Sequence, residues 1–373
     1  MEMTEDITEA MTTDFDLTLA PDIADVPGVI RNGLPRFLIV YISYIIIGIT
    51  GILGNGLVLI VLLNTRDMWD ATNLLIANQS LIDFFGSLSI IAFEVVPVPP
   101  FETAGPVLAG YLCYIWYNNF FVWAFNFTSI FNLVFISFER FYAVRYPIRY
   151  RSNFTIKPAL AASILAWIIG MGWGWFFPAT SSLENGICRI PVLPTPNTSV
   201  VVSGFTMFFL YIAPLFIMIT IYTYIGHVLK RGVATKKFQD QAAGSQPAGA
   251  ARGYREIARR KVMTTLIIVT VTSLVCWTPS NLYYTAFAFG ANIDVIGFWS
   301  SSVRCIQFSN NCTNPFIYIF KYQKFQNGLR RLLRLGDSRS PAEGTRDSKP
   351  NGTNMASRTG TERAGSMPRF PVS

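Results

Sequence analysis

Seven long segments of this chain carry little or no charge, and this feature constrains the fold more than any other. Two of them hold isolated charges: residues 71–98 contain only Asp83 and Glu94, and residues 295–320 contain only Arg304. The other five contain no charged residue: 37–63, 103–138, 158–183, 190–225 and 262–293. A helix that crosses a bilayer needs about 20 mainly apolar residues and satisfies its own backbone hydrogen bonds in lipid. Each segment is long enough for one such helix.

The sequence therefore predicts an all-α membrane protein, a bundle of seven transmembrane helices. The low charged fraction of the chain, 14%, agrees with this, because soluble domains carry about 25%. The predicted spans cover residues 38–63, 72–97, 110–142, 158–179, 201–228, 260–289 and 296–320.

The basic residues predict how the bundle is oriented. With the N-terminus outside, Arg31, Arg36 and Arg189 are extracellular and Arg304 lies inside the last span, which leaves 26 of the 30 Lys and Arg on the cytoplasmic side. Such a bias follows the positive-inside rule and predicts a multi-pass plasma-membrane protein. The net charge of +8 then reflects topology and attraction to anionic membrane lipid, with no need for a nucleic-acid partner.

Each span also carries a distinctive polar, aromatic or proline motif. In chain order these are Gly54-Asn55, Ser80-Leu81-Ile82-Asp83, Glu139-Arg140-Phe141 followed by Pro147 and Ile148, Trp167, Pro214 with Tyr222, Cys276-Trp277-Thr278-Pro279, and Asn314-Pro315-Phe316-Ile317-Tyr318. With one set per span in this order, the chain resembles the rhodopsin-like (class A) G-protein-coupled receptors from Gly54 to about Leu333. It is more loosely similar to peptide receptors of the galanin, somatostatin and allatostatin type.

The resemblance implies a sodium pocket around the buried carboxylate Asp83, with Ser129, Asn310 and Asn314 as neighbours. A hard cation prefers several oxygen ligands, which these side chains supply. The alternative is a hydrogen-bonded polar cluster that holds no ion.

The resemblance also implies an activation switch. At rest the family pairs Glu139 with Arg140, and activation frees the arginine towards a heterotrimeric G protein. Two departures are visible: Phe141 replaces the usual tyrosine, and Ser273 replaces a phenylalanine four residues before Trp277. The other switch residues are Pro279, whose missing N–H bends the sixth span, and Pro315, Tyr318 and Tyr222.

The predicted G-protein contacts are Arg140, Pro147 and Ile148, together with Arg259, Arg260 and Lys261. Because this basic run contains no acidic residue that could hold Arg140, we expect a weakly latched resting state with basal activity. The segment 229–259 connects the fifth and sixth spans, and its stretch Ala-Gly-Ser-Gln-Pro-Ala-Gly is predicted to be flexible. Its basic flanks, Lys230 and Arg231 on one side and Arg259, Arg260 and Lys261 on the other, are predicted to extend the two helices.

Two covalent features are expected on the extracellular side. Cys113 and Cys188 both face an oxidising compartment, so a disulfide between them is plausible. Asn197 starts the one N-x-S/T sequon that lies clearly outside, and it should carry glycan.

The ligand is narrowed mainly by exclusion. Retinal proteins of the family need a lysine in the seventh span, where this chain has Phe308, and amine receptors carry an aspartate where it has Val122. Glu94 and Arg304 could pair with each other, or each could meet a ligand charge. The outer aromatic residues could line a cavity or form an interfacial belt. The candidate cavity residues are Glu94, Asn119, Val122, Trp123, Trp277, Asn281, Tyr284, Arg304 and Phe308.

Because the outer tail is acidic, we expect a short and basic peptide ligand, and hence a neuropeptide receptor. A receptor for a lipid or another non-amine small molecule is the alternative. An enzyme is not expected, since the single histidine, His227, has no metal-ligand spacing around it. A transporter would require broken helices at matching positions of two repeats, which the prolines do not provide.

The predicted domains are an acidic, disordered extracellular tail (1–36), the receptor domain (37–333) and a disordered, Ser/Thr-rich cytoplasmic tail (334–373). Arrestin and a receptor kinase are expected partners of the last. A short amphipathic surface helix should follow the seventh span, anchored in lipid by Phe320, Phe325, Leu329, Leu332 and Leu333.

Overall fold

The computed structural model describes residues 34–96, 105–184, 187–189, 196–242, 248–293 and 297–333. The predicted cytoplasmic tail 334–373 and residues 1–33 of the predicted acidic tail lie outside this part of the chain. Nearly all of the described residues are helical, as the sequence predicts.

Seven long helical segments coincide with the seven predicted spans. Their bounds are α1 Leu34–Asn64, α2 Ala71–Val95, α3 Pro106–Arg145, α4 Ile156–Thr180, α5 196–242, α6 Ala248–Ala288 and α7 298–321. Within the described residues, α1 to α6 are long and apolar enough to cross a membrane. α7 is divided at Ser309 into Phe298–Phe308 and Asn310–Lys321, and it packs against α1, α2 and α6.

Short elements connect or interrupt these helices. π-Helical turns occur at Ile91–Val95, Leu112–Trp116 and Phe208–Ile212. A 3-10 turn, Arg66–Met68, joins α1 to α2, and a loop helix, Pro147–Asn153, joins α3 to α4. An antiparallel hairpin of β1 (Ser182–Glu184) and β2 (Ile187–Arg189) follows α4, with Leu183 opposite Cys188.

The prediction that the basic flanks extend the fifth and sixth helices is confirmed, while most of the stretch 243–249 that was predicted to be flexible lies outside the described residues. α5 continues through residue 242, and α6 begins at Ala248. The continuation is rich in Lys, Arg, Gln and Ala, which are good helix formers, and it has no proline until Pro247. Both helices therefore extend well beyond the predicted membrane spans.

Small residues set the closest helix contacts. A Cβ added to Gly170 of α4 would lie 2.1 Å from the Thr128 Oγ1 of α3, and one added to Gly54 of α1 would lie 2.9 Å from Pro315 of α7. Helices in lipid pack tightly where small residues let their backbones approach. These contacts fix α3 against α4 and α1 against α7.

The surface helix α8, Gln323–Leu332, is present, but one of its predicted lipid anchors is wrong. Phe325 is 1% exposed and packs in a core cluster with Val61 and Met68. A Cβ added to Gly328 would lie 3.0 Å from the Cγ1 of Val61, so α8 approaches α1 closely. The aromatic ring therefore stabilises the junction of α8 with the bundle, whereas Phe320, at 71% exposure, faces outward.

Candidate functional site

The predicted disulfide between Cys113 and Cys188 is present at the outer end of the bundle. It ties the π-helical turn of α3 to strand β2, and both cysteines are buried. The hairpin is thereby held next to the outer end of α3.

The outer end of α3 contains an irregular turn at residues 117–119. Asn119 has a φ of 49°, the left-handed conformation that asparagine tolerates better than most residues. Asn118 Nδ2 donates to the carbonyl of Cys113 at 2.8 Å and to Ser181 Oγ at 2.9 Å. This π turn and left-handed residue lie within the segment from Cys113 to Arg140, which is about two residues longer than the family's usual spacing.

Two opposite charges lie within the outer half of the bundle. Glu94 of α2 accepts a hydrogen bond from Asn119 Nδ2 at 3.3 Å, and Arg304 of α7 donates to Ser301 Oγ at 3.3 Å. Their charges interact, yet no salt bridge within 4.0 Å joins them in the described part of the chain. Each side chain therefore retains capacity for a further charged partner.

The remaining candidate cavity residues fall into two apolar groups. Val122 and Phe308 are fully buried and pack in one cluster with Tyr44 of α1, while the Trp123 ring meets the Phe308 ring edge-on at 6.4 Å. Trp277 belongs to a second cluster deeper between α3, α5 and α6.

Polar contacts link this region to α6 and α7. The Trp277 carbonyl accepts a hydrogen bond from Asn281 Nδ2 at 2.9 Å, and the Tyr284 hydroxyl lies 2.8 Å from Ser300 Oγ. Trp299 is 70% exposed, as expected of a residue in an interfacial belt. The predicted glycan acceptor Asn197 lies in the first turn of the helix Pro196–Met207.

Asp83 is buried at the centre of the bundle and is bonded from two other helices. Its Oδ2 accepts from Asn314 Nδ2 at 2.7 Å, and its Oδ1 accepts from Ser129 Oγ at 3.3 Å. Gln79, four residues earlier on α2, also donates to Oδ1 at 3.0 Å. The predicted neighbours Ser129 and Asn314 therefore do meet Asp83.

Three buried oxygens on α2 and α7 have no hydrogen-bond partner among the described residues: Ser80 Oγ, Asn310 Oδ1 and Asn314 Oδ1. Ser80 lies three residues before Asp83 on α2, and Asn310 lies one helical turn before Asn314 on α7. Oxygens of this kind are ligands for a hard cation or for ordered water, but both oxygens of the one carboxylate here already accept hydrogen bonds from side chains.

At the cytoplasmic end, Arg140 is buried and paired with the neighbouring Glu139. Its guanidinium also donates to Thr72 Oγ1 of α2, and Thr72 in turn donates to Glu139 Oε1 at 3.0 Å. Tyr150 of the loop helix donates a further hydrogen bond to Glu139 Oε1. Among the described side chains, Arg140 and its partner Glu139 are therefore latched by Thr72 of α2 and Tyr150 of the loop helix.

Tyr150 acts in this cluster as a protonated donor. Burial, followed by the charge of Glu139, raises the pKa of Tyr150 to about 12. The hydroxyl therefore keeps its proton at physiological pH and can hold the carboxylate.

The proline of α7 is compensated by a residue of α1. Pro315 has no N–H to bond the carbonyl of Asn311 four residues before it. Asn55 Nδ2 donates to that carbonyl at 2.7 Å. The helix therefore continues through the proline, and α1 is linked to the segment of α7 that contains the motif.

The two switch tyrosines lie apart from Arg140. Tyr222 of α5 accepts hydrogen bonds from Ser137 Oγ at 3.2 Å and Thr270 Oγ1 at 3.3 Å. Tyr318 of α7 is fully buried, and its hydroxyl has no partner among the described residues. The predicted meeting of the two tyrosines near Arg140 stays a prediction for an opened bundle.

Residues 54–318, which are more than half of the chain, match the family model described as the 7 transmembrane receptor (rhodopsin family). The chain belongs to this family. Membership makes it a multi-pass membrane receptor, not an enzyme, and gives it an extracellular ligand and a G protein as partners.

Several curated proteins are similar to this receptor over most of their length. Galanin receptor 2b of Danio rerio is 28% identical over 306 residues, which are 80% of this chain and 76% of the relative. Trace amine-associated receptor 9 of Rattus norvegicus is 27% identical over 313 residues, which are 78% and 87% of the two chains. Galanin receptor type 2 of Mus musculus is 26% identical over 303 residues, which are 80% and 76%.

The end of the bundle that contains Arg140 presents some of the predicted G-protein contacts. Ile148 is 84% exposed and follows Pro147, which begins the loop helix. Arg259, Arg260 and Lys261 lie within α6, although their side chains are outside what the structure describes. Arg140 itself is covered, so its contact with a G protein requires a rearrangement.

Three residues of these clusters are missing from the sequence-based prediction: Thr72, Tyr150 and Gln79. Gln79 could have been found, because it lies four residues before Asp83 and therefore on the same helix face. Thr72 and Tyr150 carry no such signal, since their contacts with Glu139 depend on how three separate segments pack.

Proposed function

We propose that this receptor binds a short peptide from the extracellular side and activates its G protein through a rearrangement of α6 and α7. The observation that carries the peptide proposal is the pair of Glu94 and Arg304, two half-buried and opposite charges within the helical bundle without a direct salt bridge between them. Charges within a membrane are costly unless they are paired. A peptide carries groups of both signs and would neutralise both residues.

One further observation supports a peptide over an amine. The relatives themselves do not decide, because they include both galanin receptors, the peptide-receptor type that the motifs resemble, and trace amine-associated receptors. Val122, fully buried and apolar, takes the place of the aspartate expected in amine receptors.

The route from ligand to G protein runs through α6 and α7. Trp277 lies in the cluster between α3, α5 and α6 and two residues from Pro279, where α6 lacks a backbone hydrogen bond. A ligand that moves this tryptophan biases the bundle between two packings, one with Arg140 latched and one with it released.

The cellular setting follows from the same proposal. The N-terminus is extracellular, the receptor resides in the plasma membrane, and Asn197 carries glycan. After activation, a receptor kinase phosphorylates the Ser/Thr-rich segment 334–373 and arrestin binds it.

The test is second-messenger output in cells challenged with a peptide library. Wild-type receptor is compared with Glu94→Gln, Arg304→Gln and Arg140→Ala at equal surface expression. We expect a peptide response that Arg140→Ala abolishes. Each cavity substitution should lower peptide potency at least about tenfold, or 1.4 kcal/mol, because a buried charge loses its partner. Arg66→Ala, at an exposed cytoplasmic arginine, is the matched control and should respond normally.

The possible outcomes separate the parts of the proposal. A response only to amines or lipids would overturn the peptide ligand and leave the receptor. A peptide response that Glu94→Gln and Arg304→Gln leave unchanged would overturn the binding site. Normal signalling by Arg140→Ala would overturn the switch.

A further inference from the structure

A continuous chain of hydrogen bonds runs through the membrane interior from α4 to Asp83. Trp167 Nε1 donates to Asn78 Oδ1 at 2.9 Å, and Asn78 Nδ2 donates to Asn132 Oδ1 at 2.9 Å. Asn132 Nδ2 donates to Gln79 Oε1 at 2.9 Å, and Gln79 Nε2 donates to Asp83 Oδ1 at 3.0 Å. Three side-chain amides from α2 and α3 thus connect an indole of α4 to the central carboxylate.

The direction of this amide chain is fixed by its surroundings. The indole N–H of Trp167 can only donate, so the oxygen of Asn78 must face it. Asn132 Nδ2 also donates to the backbone carbonyl of Leu75 at 3.1 Å, which can only accept, so its orientation is fixed independently. The NH₂ group of Gln79 must therefore point towards Asp83, and every donor in the chain points the same way.

This arrangement places a hydrogen-bond donor where a cation would otherwise lie. Gln79 Nε2 donates to Ser129 Oγ at 2.6 Å as well as to Asp83 Oδ1. A cation between these two oxygens would lie against the positively polarised N–H groups of this amide, which repel it. The aligned amides polarise one another and strengthen the last bond of the chain.

Gln79 is fully buried, so water cannot easily replace the amide. On the other side of the carboxylate, Asp83 Oδ2 already accepts from Asn314. Both carboxylate oxygens therefore already accept hydrogen bonds, which a bound cation would have to replace or share.

We infer that the Gln79 amide takes the place of a bound cation at Asp83, so that sodium binds this receptor weakly and stabilises it little. The amide chain, anchored on Trp167, supplies the positive end of a dipole to the carboxylate permanently. The receptor's resting state is then set by the packing of α2, α3 and α4, and much less by extracellular sodium.

The experiment measures the unfolding temperature of purified, ligand-free receptor as NaCl replaces choline chloride at constant ionic strength. A ligand that binds only the folded state stabilises it by RT ln(1 + [L]/Kd), so the unfolding temperature begins to rise as the sodium concentration passes its dissociation constant. We expect almost no sodium-specific rise for wild type. Gln79→Leu should show a rise that begins at a sodium concentration at least about tenfold lower than in wild type.

Several variants make this result specific. Gln79→Leu leaves Asn132 bonded to Leu75 and frees the oxygens of Ser129 and Asp83. Adding Asp83→Asn to Gln79→Leu should remove the sodium effect. Gln307→Leu, at another buried glutamine, should behave as wild type.

Gln79→Glu is the second variant in case the leucine variant does not fold. It places an anionic oxygen beside Asp83 and should also bind sodium more tightly than wild type. If the unfolding temperature of wild type rose over the same sodium concentrations as that of either Gln79 variant, the inference would be overturned. So would the absence of any sodium effect in a folded Gln79 variant.

Discussion

Arg140 owes its resting position to side chains that its own motif does not contain. Thr72 of α2 bonds both Arg140 and Glu139, and Tyr150 of the loop helix bonds Glu139. The acidic residue that is missing from the start of α6 is therefore replaced by two hydroxyl groups. The strength of this latch can be measured as second-messenger output in the absence of ligand.

Tyr150→Phe should raise ligand-free second-messenger output about two- to tenfold. It removes one hydrogen bond made in the resting state, worth roughly 0.5–1.5 kcal/mol, and keeps the aromatic ring. Tyr146→Phe, four residues earlier, makes the same change at a half-exposed tyrosine and should leave the output unchanged. Equal output from the two variants, after correction for surface expression, would contradict a latching role for Tyr150.

Single residues could be predicted where one helix carries the information. Asp83, Arg140 and Trp277 were identified by motif, and the structure buries all three. The role of Gln79 depends on the orientation of amides on α2 and α3, and that of Thr72 on the register of α2 against α3. Such relations arise from packing, which spacing along one helix does not specify.

The contact between Gly170 of α4 and Thr128 of α3 determines how closely these two helices approach each other. Gly170→Ala should lower the unfolding temperature of the purified receptor. Its Cβ would lie 2.5 Å from the backbone nitrogen of Thr128, a clash that costs about 1–3 kcal/mol because backbone must move. Gly172→Ala has open space around its Cβ and should be neutral or slightly stabilising. A similar loss of stability in both variants would argue against close packing at Gly170.

The helices were predictable as elements, while their irregularities were not. The long charge-free segments give the positions of the seven spans to within a few residues at most ends. The break at Ser309 has no comparable signal, because serine is common in regular helices of membrane proteins as well. The irregular turn at Asn119 is indicated only by the long segment from Cys113 to Arg140, which does not show where the extra residues are placed. Hydropathy marks the membrane and not the end of a helix, so the lengths of the extensions of α5 and α6 could not be predicted.

For the whole molecule, the basic residues predict a single orientation. An epitope tag at the N-terminus should be stained by antibody on intact cells, and a tag at the C-terminus only after permeabilisation. The reason is that 26 of the 30 Lys and Arg residues are assigned to the cytoplasmic side, and translocating so many is unfavourable. Staining of the C-terminal tag on intact cells would reverse the proposed topology.

The length of α6 has a mechanical consequence. The helix runs without interruption from Ala248 through Pro279 to Ala288, so about 30 residues lie on the cytoplasmic side of the proline. At 1.5 Å per residue this is a rigid arm of roughly 45 Å. A rotation of about 10° at Pro279 would displace its far end by roughly 8 Å, more than one turn of a helix. A sub-ångström movement beside Trp277 would thus be amplified at the far end of the arm. The amplification factor is the length of the arm divided by the distance from Trp277 to the hinge at Pro279.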